Sequence, residues 1–380
     1  MESLFKDHVF AAHALAGASS VALAASLTYP FDTIKTVMQV GSTGSSKPLS
    51  PVQVVERIKS MSGSFGGLYS GLSWLTLGRT VGLGARFGVY EILTAFYRDG
   101  RKDNYVYVSE ALVAGVVAGA AESIATSPFE LLKVRSQVTS ASRVPSTRTS
   151  FGRTGTSSIT EKLLRGYGPD RKILNQYVGL LSTLSTKHSN MAGALRDYPW
   201  MMSGSGRPPS VCDVKRPLDV ISLEGPTAMW KGLRSGVARD SFFAGIFFSS
   251  WQFMHEALLD WKAVGMNPIP SSNEEVGPLS PIAVSLSAGL SGVIAAAGSH
   301  CFDTASSRSL CTVLPKYVSM ERRLLKWNTP GNRFERITGI HPSDRNILFR
   351  GIWVRMARSG ISSSLIVGAY FFSIDLLTSS

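Results

Sequence analysis

A proline-aromatic pair followed by acid and base three residues apart occurs twice in this 380-residue chain: Asp32 with Lys35 in Pro30-Phe31-Asp32-Thr33-Ile34-Lys35, and Glu130 with Lys133 in Pro128-Phe129-Glu130-Leu131-Leu132-Lys133. A third stretch, Cys301-Phe302-Asp303-Thr304-Ala305-Ser306, keeps the aromatic and the acid but loses the proline and the base. Residues three apart share one face of a helix. Each acid and each base can therefore reach a neighbouring helix instead of its own partner, which is the chemistry of inter-helix ion pairs. Catalysis is not expected, because no nucleophile, base and orienting group occur together. The six histidines are scattered with no HExxH-like pair, so neither a metal site nor a cofactor is expected. Gly82-Leu83-Gly84 lacks the strand and third glycine of a dinucleotide loop and reads as close helix packing. Cys212, Cys301 and Cys311 are too irregularly spaced for a disulfide framework and read as reduced thiols.

A second set of chemically able residues is Arg79, Arg86, Arg239 and Arg358, each inside an apolar stretch. An arginine surrounded by lipid is costly unless it lines water or finds a partner, so its default reading is functional. For Arg86 and Arg358 the competing readings are snorkelling or a structural ion pair with Glu122 or Asp240.

The elements that must position these residues are long apolar helices. Hydrophobic residues make up 44% of the chain and charged residues only 17%, whereas soluble domains carry about 25% charged residues. Six stretches, roughly 8–38, 71–98, 107–138, 232–261, 279–310 and 351–377, each have room for the ~20 residues that span a hydrocarbon core. Several are dense in small residues, and Gly115 with Gly119 forms a GxxxG step for close helix approach. The net charge of +13 would suit a nucleic-acid binder. The surplus, however, sits in connections: from Arg143 to Arg216, and at Lys316, Arg322, Arg323, Lys326, Arg333, Arg336 and Arg345. That placement orients a chain in a membrane. The reading is an all-α membrane protein with no nucleic-acid partner. Met1 to His8 is short and carries both acid and base, unlike a cleaved targeting peptide.

The helices form three pairs marked by two linked signatures. Besides the acid–base motif there is a glycine-ended one before each even helix: Gly66-Gly67-Leu68-Tyr69-Ser70-Gly71, Glu224-Gly225 with Trp230-Lys231-Gly232, and Leu348-Phe349-Arg350-Gly351. The expected repeats are residues 1–100, 101–265 and 266–380, the second holding a Ser/Arg-rich insertion at about 139–223. Its composition reads as largely disordered, with a short amphipathic piece from Leu174 to Leu184. Proline removes a helix bond and clashes with the preceding turn, so Pro30 and Pro128 should bend their helices towards a common end. There the charges could close an inter-helix girdle that works as a gate, because desolvation offsets most of an ion pair's attraction.

These motifs resemble the mitochondrial carrier family over nearly all of the chain except the insertion. The resemblance implies a pseudo-threefold barrel of six transmembrane helices with short matrix helices, a multi-pass place in the mitochondrial inner membrane, and alternating access to a central site. It implies a monomer working on a small-molecule substrate within the bilayer, with anionic lipid at the N-termini of the matrix helices. The implied matrix gate pairs Asp32 with Lys133 and Asp303 with Lys35, while Glu130 faces Ser306 without a partner unless Arg308 reaches it. Gln39 and Gln137 match the family's braces beneath the pairs. On the opposite side the family's aromatic-acid gate survives only as Tyr90-Glu91, with Trp251-Gln252 and Tyr370-Phe371 lacking the acids.

Counting back from those aromatics places the family's substrate contacts at Gly78, Arg239 and Arg358, with Arg79 and Asp240 adjacent. The neighbours Arg239-Asp240 suit an amino-acid-like or carnitine-like zwitterion, guanidinium taking the carboxylate and carboxylate taking the ammonium. Arg86-Phe87-Gly88-Val89-Tyr90-Glu91 resembles the tricarboxylate carriers instead, and the four arginines together suit a multiply anionic ligand. A nucleotide or cofactor carrier ranks behind these. The leading expectation is transport of a small carboxylate-bearing metabolite, amino-acid-like or carnitine-like, with a tricarboxylate, nucleotide or cofactor carrier as the alternative. A membrane adaptor that has lost transport is the alternative that the degenerate third motif motivates.

Overall fold

The computed structural model describes residues 2–41, 49–99, 106–141, 211, 214–266, 276–313 and 342–379. Among these there are helices and turns and no strand. In chain order the α-helices are α1 (Glu2–Val40), α2 (Pro51–Ser62), α3 (Leu72–Arg98), α4 (Val108–Ser140), α5 (Pro217–Leu223), α6 (Leu233–Val264), α7 (Pro281–Gly298), α8 (His300–Leu310) and α9 (Ile352–Ser379). Short 3-10 turns at Phe65–Tyr69, Pro226–Trp230 and Pro342–Phe349 lead into α3, α6 and α9. The long helices pack in a closed ring, α1 on α3, α3 on α4, α4 on α6, α6 on α7, α7 on α9, and α9 back on α1. It is an all-α membrane fold of six transmembrane helices, α8 continuing α7, in three pseudo-threefold repeats with short helices at one end.

The ring is polar inside and apolar outside. Asp32, Lys35, Arg86, Glu122, Arg239, Asp240, Asp303 and Arg355 are buried, while Leu23, Leu27, Leu77, Ile92, Phe96, Val113, Phe242, Leu286 and Trp353 face outward. On hydropathy alone, two of the described helices, α4 and α7, are long and apolar enough to cross a membrane. The others carry their charges on the inner face, which lowers the mean hydropathy of the helix without placing charge against lipid.

One repeated contact closes the ring. Gly71, Gly232 and Gly351, the last residues of the glycine-ended signature, all have positive φ, at 90, 78 and 80°. This is the left-handed turn that a side chain resists. Gly71 sits against Lys133 and Ser136 of α4, Gly232 against Ser309 and Leu310 of α8, and Gly351 against Lys35 and Met38 of α1. Each repeat thus leans on the odd helix of the next. Repeats one and three also match bond for bond. Thr33 donates to the Leu68 carbonyl at 2.7 Å as Thr304 does to that of Leu348 at 3.0 Å. Tyr29 donates to the Ser70 carbonyl at 2.5 Å, and His300 Nε2 lies 3.1 Å from that of Arg350.

Two expected helix outlines differ. The first helix begins at Glu2, before position 8, and the stretch 279–310 is two helices broken at Ser299. α1 and α4 run through Pro30 and Pro128. The third odd helix has no proline there and breaks at Gly298-Ser299, a glycine–serine step being another recognised break point. α2 starts on a reciprocal cap: Ser50 Oγ accepts from the Gln53 amide at 3.3 Å, and Gln53 Oε1 accepts from the Ser50 amide at 3.1 Å. Within the insertion, α4 continues to Ser140 and Pro217–Leu223 forms α5. The rest of the insertion, the piece 174–184, the second basic stretch and the short helix expected in the third repeat lie outside the described residues.

Candidate functional site

Val37, Val54, Ile58, Leu131, Val134, Val138 and Leu310 form a buried apolar cluster where α1, α2, α4 and α8 converge. Directly on it lies the charge girdle. Asp32 is fully buried; Lys133 Nζ of α4 lies 3.0 Å from its Oδ2, and Gln137 Nε2 donates to the same oxygen at 3.0 Å. Lys35 Nζ reaches Asp303 of α8 at 2.9 Å, closer than Asp32 on its own helix at 3.7 Å. Gln39 Nε2 donates to Asp303 Oδ2 at 2.9 Å and to Thr304 Oγ1 at 3.1 Å. Both glutamines therefore sit under the ion pairs and share the load on the carboxylates.

The third junction differs from expectation. Glu130 does have a partner, Arg239 Nη2 of α6 at 2.7 Å. Arg308 Nη1 donates to the Gln39 carbonyl at 2.9 Å. The physical reason is reach: Ser306 is buried and too short to cross between α8 and α4, whereas an arginine one layer higher extends down to the acid.

The arginines expected to hold a ligand are mostly engaged. Arg239 also holds Asp240 bidentately, Nε to Oδ1 and Nη2 to Oδ2, both at 2.8 Å. Arg358 Nη1 lies 3.0 Å from Asp32 Oδ1. Arg86 pairs with Glu122, the structural partnership weighed above, and its guanidinium lies 5.3 Å from the Phe243 ring centre. Arg79 has no ion-pair or hydrogen-bond partner among the described residues. Gly78 lines the same space and accommodates Phe129, which a side chain there would meet. Gly82 packs on Thr126 and Glu122 as its helix-packing reading requires, but Gly84 faces open space. Sequence reasoning missed Arg355, whose Nη2 donates to Ser299 Oγ at 2.8 Å and whose Nε lies 3.7 Å from Asp303. Its signal was available: it stands three residues before Arg358 in an apolar stretch, hence on the same face.

These groups surround one cavity of about 1170 Å³ including its open mouth, with the girdle as floor and Phe87, Phe243, Phe247, Ser359 and Ser363 in its walls. Its lining holds seven cationic side chains, Lys35, Arg79, Arg86, Lys133, Arg239, Arg355 and Arg358, against the five carboxylates Asp32, Glu122, Glu130, Asp240 and Asp303. The surplus of two positive charges, within low-dielectric walls, concentrates anions. Close helix approach sets the depth of the site: at Gly119 the α4 backbone touches that of Asp240, and at Gly115 that of Ala244.

At the opposite end of the helices two polar contacts run along single helices, while Lys262 of α6 donates to the Pro278 carbonyl before α7 at 2.9 Å. Glu91 lies 4.0 Å from Arg98 within α3, and Gln252 donates to Glu256 at 3.0 Å within α6. Tyr90 stacks on Phe248 with ring centres 3.8 Å apart. Below the girdle, Arg135 ties three elements together. It donates to Glu224 at 2.6 Å, to the Val214 carbonyl at 3.2 Å and to the Leu310 carbonyl at 3.3 Å. Lys231 joins Glu224 from the other side at 3.1 Å and donates to the Thr312 carbonyl. Burial lowers its ammonium to about 8, against the pull of Glu224.

The family model "Mitochondrial carrier protein" matches residues 6–101 and 105–184. Mitochondrial citrate transporter B of Aspergillus niger is 30% identical over 185 residues, 48% of this chain and 59% of that protein. The tricarboxylate transport protein of Saccharomyces cerevisiae is 31% identical over 127 residues, 33% of this chain and 40% of that protein. A mitochondrial electrogenic aspartate/glutamate antiporter of Homo sapiens is 24% identical over 297 residues, 67% of this chain and 43% of that protein. The chain thus spans about half the length of these relatives, from 40 to 59%. With two repeats matched in sequence and a threefold ring of paired helices closed by the proline-acid-base girdle, the chain is similar to the mitochondrial carrier family.

Proposed function

We propose that the chain carries a small metabolite with two or more carboxylates across the inner membrane by alternating access. In this reading Arg79, Arg86, Arg239 and Arg358, with Gly78 and Asp240, line the ligand site. The girdle of Asp32, Lys35, Glu130, Lys133 and Asp303 is the matrix gate, and residues 1–100, 101–265 and 266–380 each contribute one hairpin to it. The observation that carries the proposal is the cationic surplus of the cavity, with Arg79 in no ion pair or hydrogen bond among the described residues. A guanidinium held without a carboxylate in a low-dielectric wall favours a ligand that brings one. The zwitterion reading loses its second half, because Asp240 is already held by two nitrogens of Arg239 and is poorly placed to take an ammonium. The names of the relatives, citrate and aspartate/glutamate among them, share the feature of at least two carboxylates.

Uptake into liposomes by purified protein tests this. Labelled citrate should enter, and carnitine, with a single carboxylate and a fixed cation, should enter far more slowly. Carnitine uptake equal to or above that of every di- and tricarboxylate offered would refute the proposal.

A further inference from the structure

Threefold order assigns each girdle acid a base from the next odd helix: Lys133 of α4 to Asp32 of α1, and Lys35 of α1 to Asp303 of α8. The third base should come from position 306 of α8 and reach Glu130 of α4. Ser306 cannot supply it, and the charge comes instead from Arg239, which lines the cavity. The three acids are also held unequally. Asp32 has Lys133, Arg358 and Gln137, and Asp303 has Lys35, Arg355 and Gln39. Among the described residues Glu130 has Arg239 alone, and its side chain is 22% exposed, against 0% for Asp32 and 6% for Asp303. It is the acid most open to exchange with an incoming anion.

We propose that Glu130 is a built-in competitor for the ligand: its carboxylate occupies Arg239 in the empty carrier, and a ligand carboxylate opens this third latch by taking its place. This rests on the carboxylate reading above and adds a specificity-determining residue to it. Exchange of one carboxylate for another leaves the guanidinium satisfied throughout, so the latch is released without stranding a buried cation. Glu130, once released, turns to the water of the cavity. Because α4 and α6 are the helices so joined, ligand binding and loosening of the α4–α6 contact at the girdle become a single event. A ligand without a carboxylate binds without releasing this latch.

Two substitutions release Arg239 from Glu130 by different routes, its bonds to Asp240 remaining. Glu130→Gln removes the competing charge in nearly the same volume. Ser306→Lys offers Glu130 the base that threefold order lacks, drawing it away from Arg239 while strengthening the girdle. Equilibrium binding of labelled citrate to the full chain in detergent should tighten on the order of tenfold in each, since the fraction of protein in which Glu130 does not occupy Arg239 rises. Ser306→Lys should also raise the thermal midpoint, which Glu130→Gln should not. If Ser306→Lys does not fold, Glu130→Gln decides alone. Citrate binding unchanged or weaker in Glu130→Gln overturns the competitor and leaves the carboxylate reading standing. Citrate binding absent from wild type and both variants overturns that reading, and the competitor falls with it.

Discussion

Arg358 Nη1 of α9 lies 3.0 Å from Asp32 Oδ1 of α1, so an even-helix arginine in the cavity and the base Lys133 share a single buried carboxylate. The same pattern recurs at Asp303 with Arg355 and Lys35. Floor and wall of the cavity are therefore one electrostatic network, and substitutions divide by whether they strand a charge within it.

Arg79 is the residue whose loss should separate binding from stability. It has no partner among the described residues to leave behind. Arg79→Ala should keep the unfolding stability within ~0.5 kcal/mol of wild type, as for changes away from buried networks. Citrate binding should weaken by about 1.5–3 kcal/mol, the worth of a hydrogen bond to a charged group. Calorimetric titration beside a thermal melt reads both, and a large drop in midpoint with unchanged binding contradicts the assignment.

Removing the charge of Asp32 should do the opposite. Asp32→Asn leaves Lys133 and Arg358 buried with their carboxylate gone. Breaking a buried pair from one side costs about 3–5 kcal/mol. The expected result is a melt shifted well down in detergent, with transport lost; a melt like that of wild type argues against the girdle as a buried network.

Packing makes a prediction independent of charge. A side chain at Gly119 meets the backbone of Asp240 and Ser241, which cannot rotate aside as a flexible side chain would. Gly119→Leu should cost at least about 1–3 kcal/mol, the usual range for overpacking. Gly84→Ala, where nothing lies nearby, should be neutral or slightly stabilising through helix propensity. Equal melts for the two variants contradict the close α4–α6 approach.

Cys311 gives a chemical readout. Burial pushes its thiol up to about 12, with Arg135, Arg308 and Lys231 pulling the other way. The thiolate is the reactive form. At pH 8 the folded protein should therefore resist maleimide at Cys311 over a period in which the denatured chain is fully labelled, as localised by mass spectrometry of the peptide. Rapid labelling in the folded state places Cys311 at the surface.

Much of this molecule is legible without coordinates because its strongest signals are local and repeated. Pro30-Asp32-Lys35 and Pro128-Glu130-Lys133 announce two of three equivalent helices, and a glycine closes the next signature each time. Positions 71, 232 and 351 take positive φ, and a left-handed turn is something that a single residue type can advertise. The pairs Asp32–Lys133 and Lys35–Asp303 follow from threefold order, since register along similar helices is carried by the chain itself. The partner of Glu130 does not follow. Arg239 lies 109 positions away on a helix of another type, and the rules of helix spacing do not extend between helices.

The sequence by itself determined the number of hairpins, the solvent that they face and the acids that meet at one end, because periodicity, composition and spacing are properties of consecutive residues. Tertiary structure alone decided which arginines are spent on protein carboxylates and that Arg79 is in no ion pair among the described residues. Long side chains choose among several acids within reach, and that choice depends on the depth and tilt at which each helix is packed.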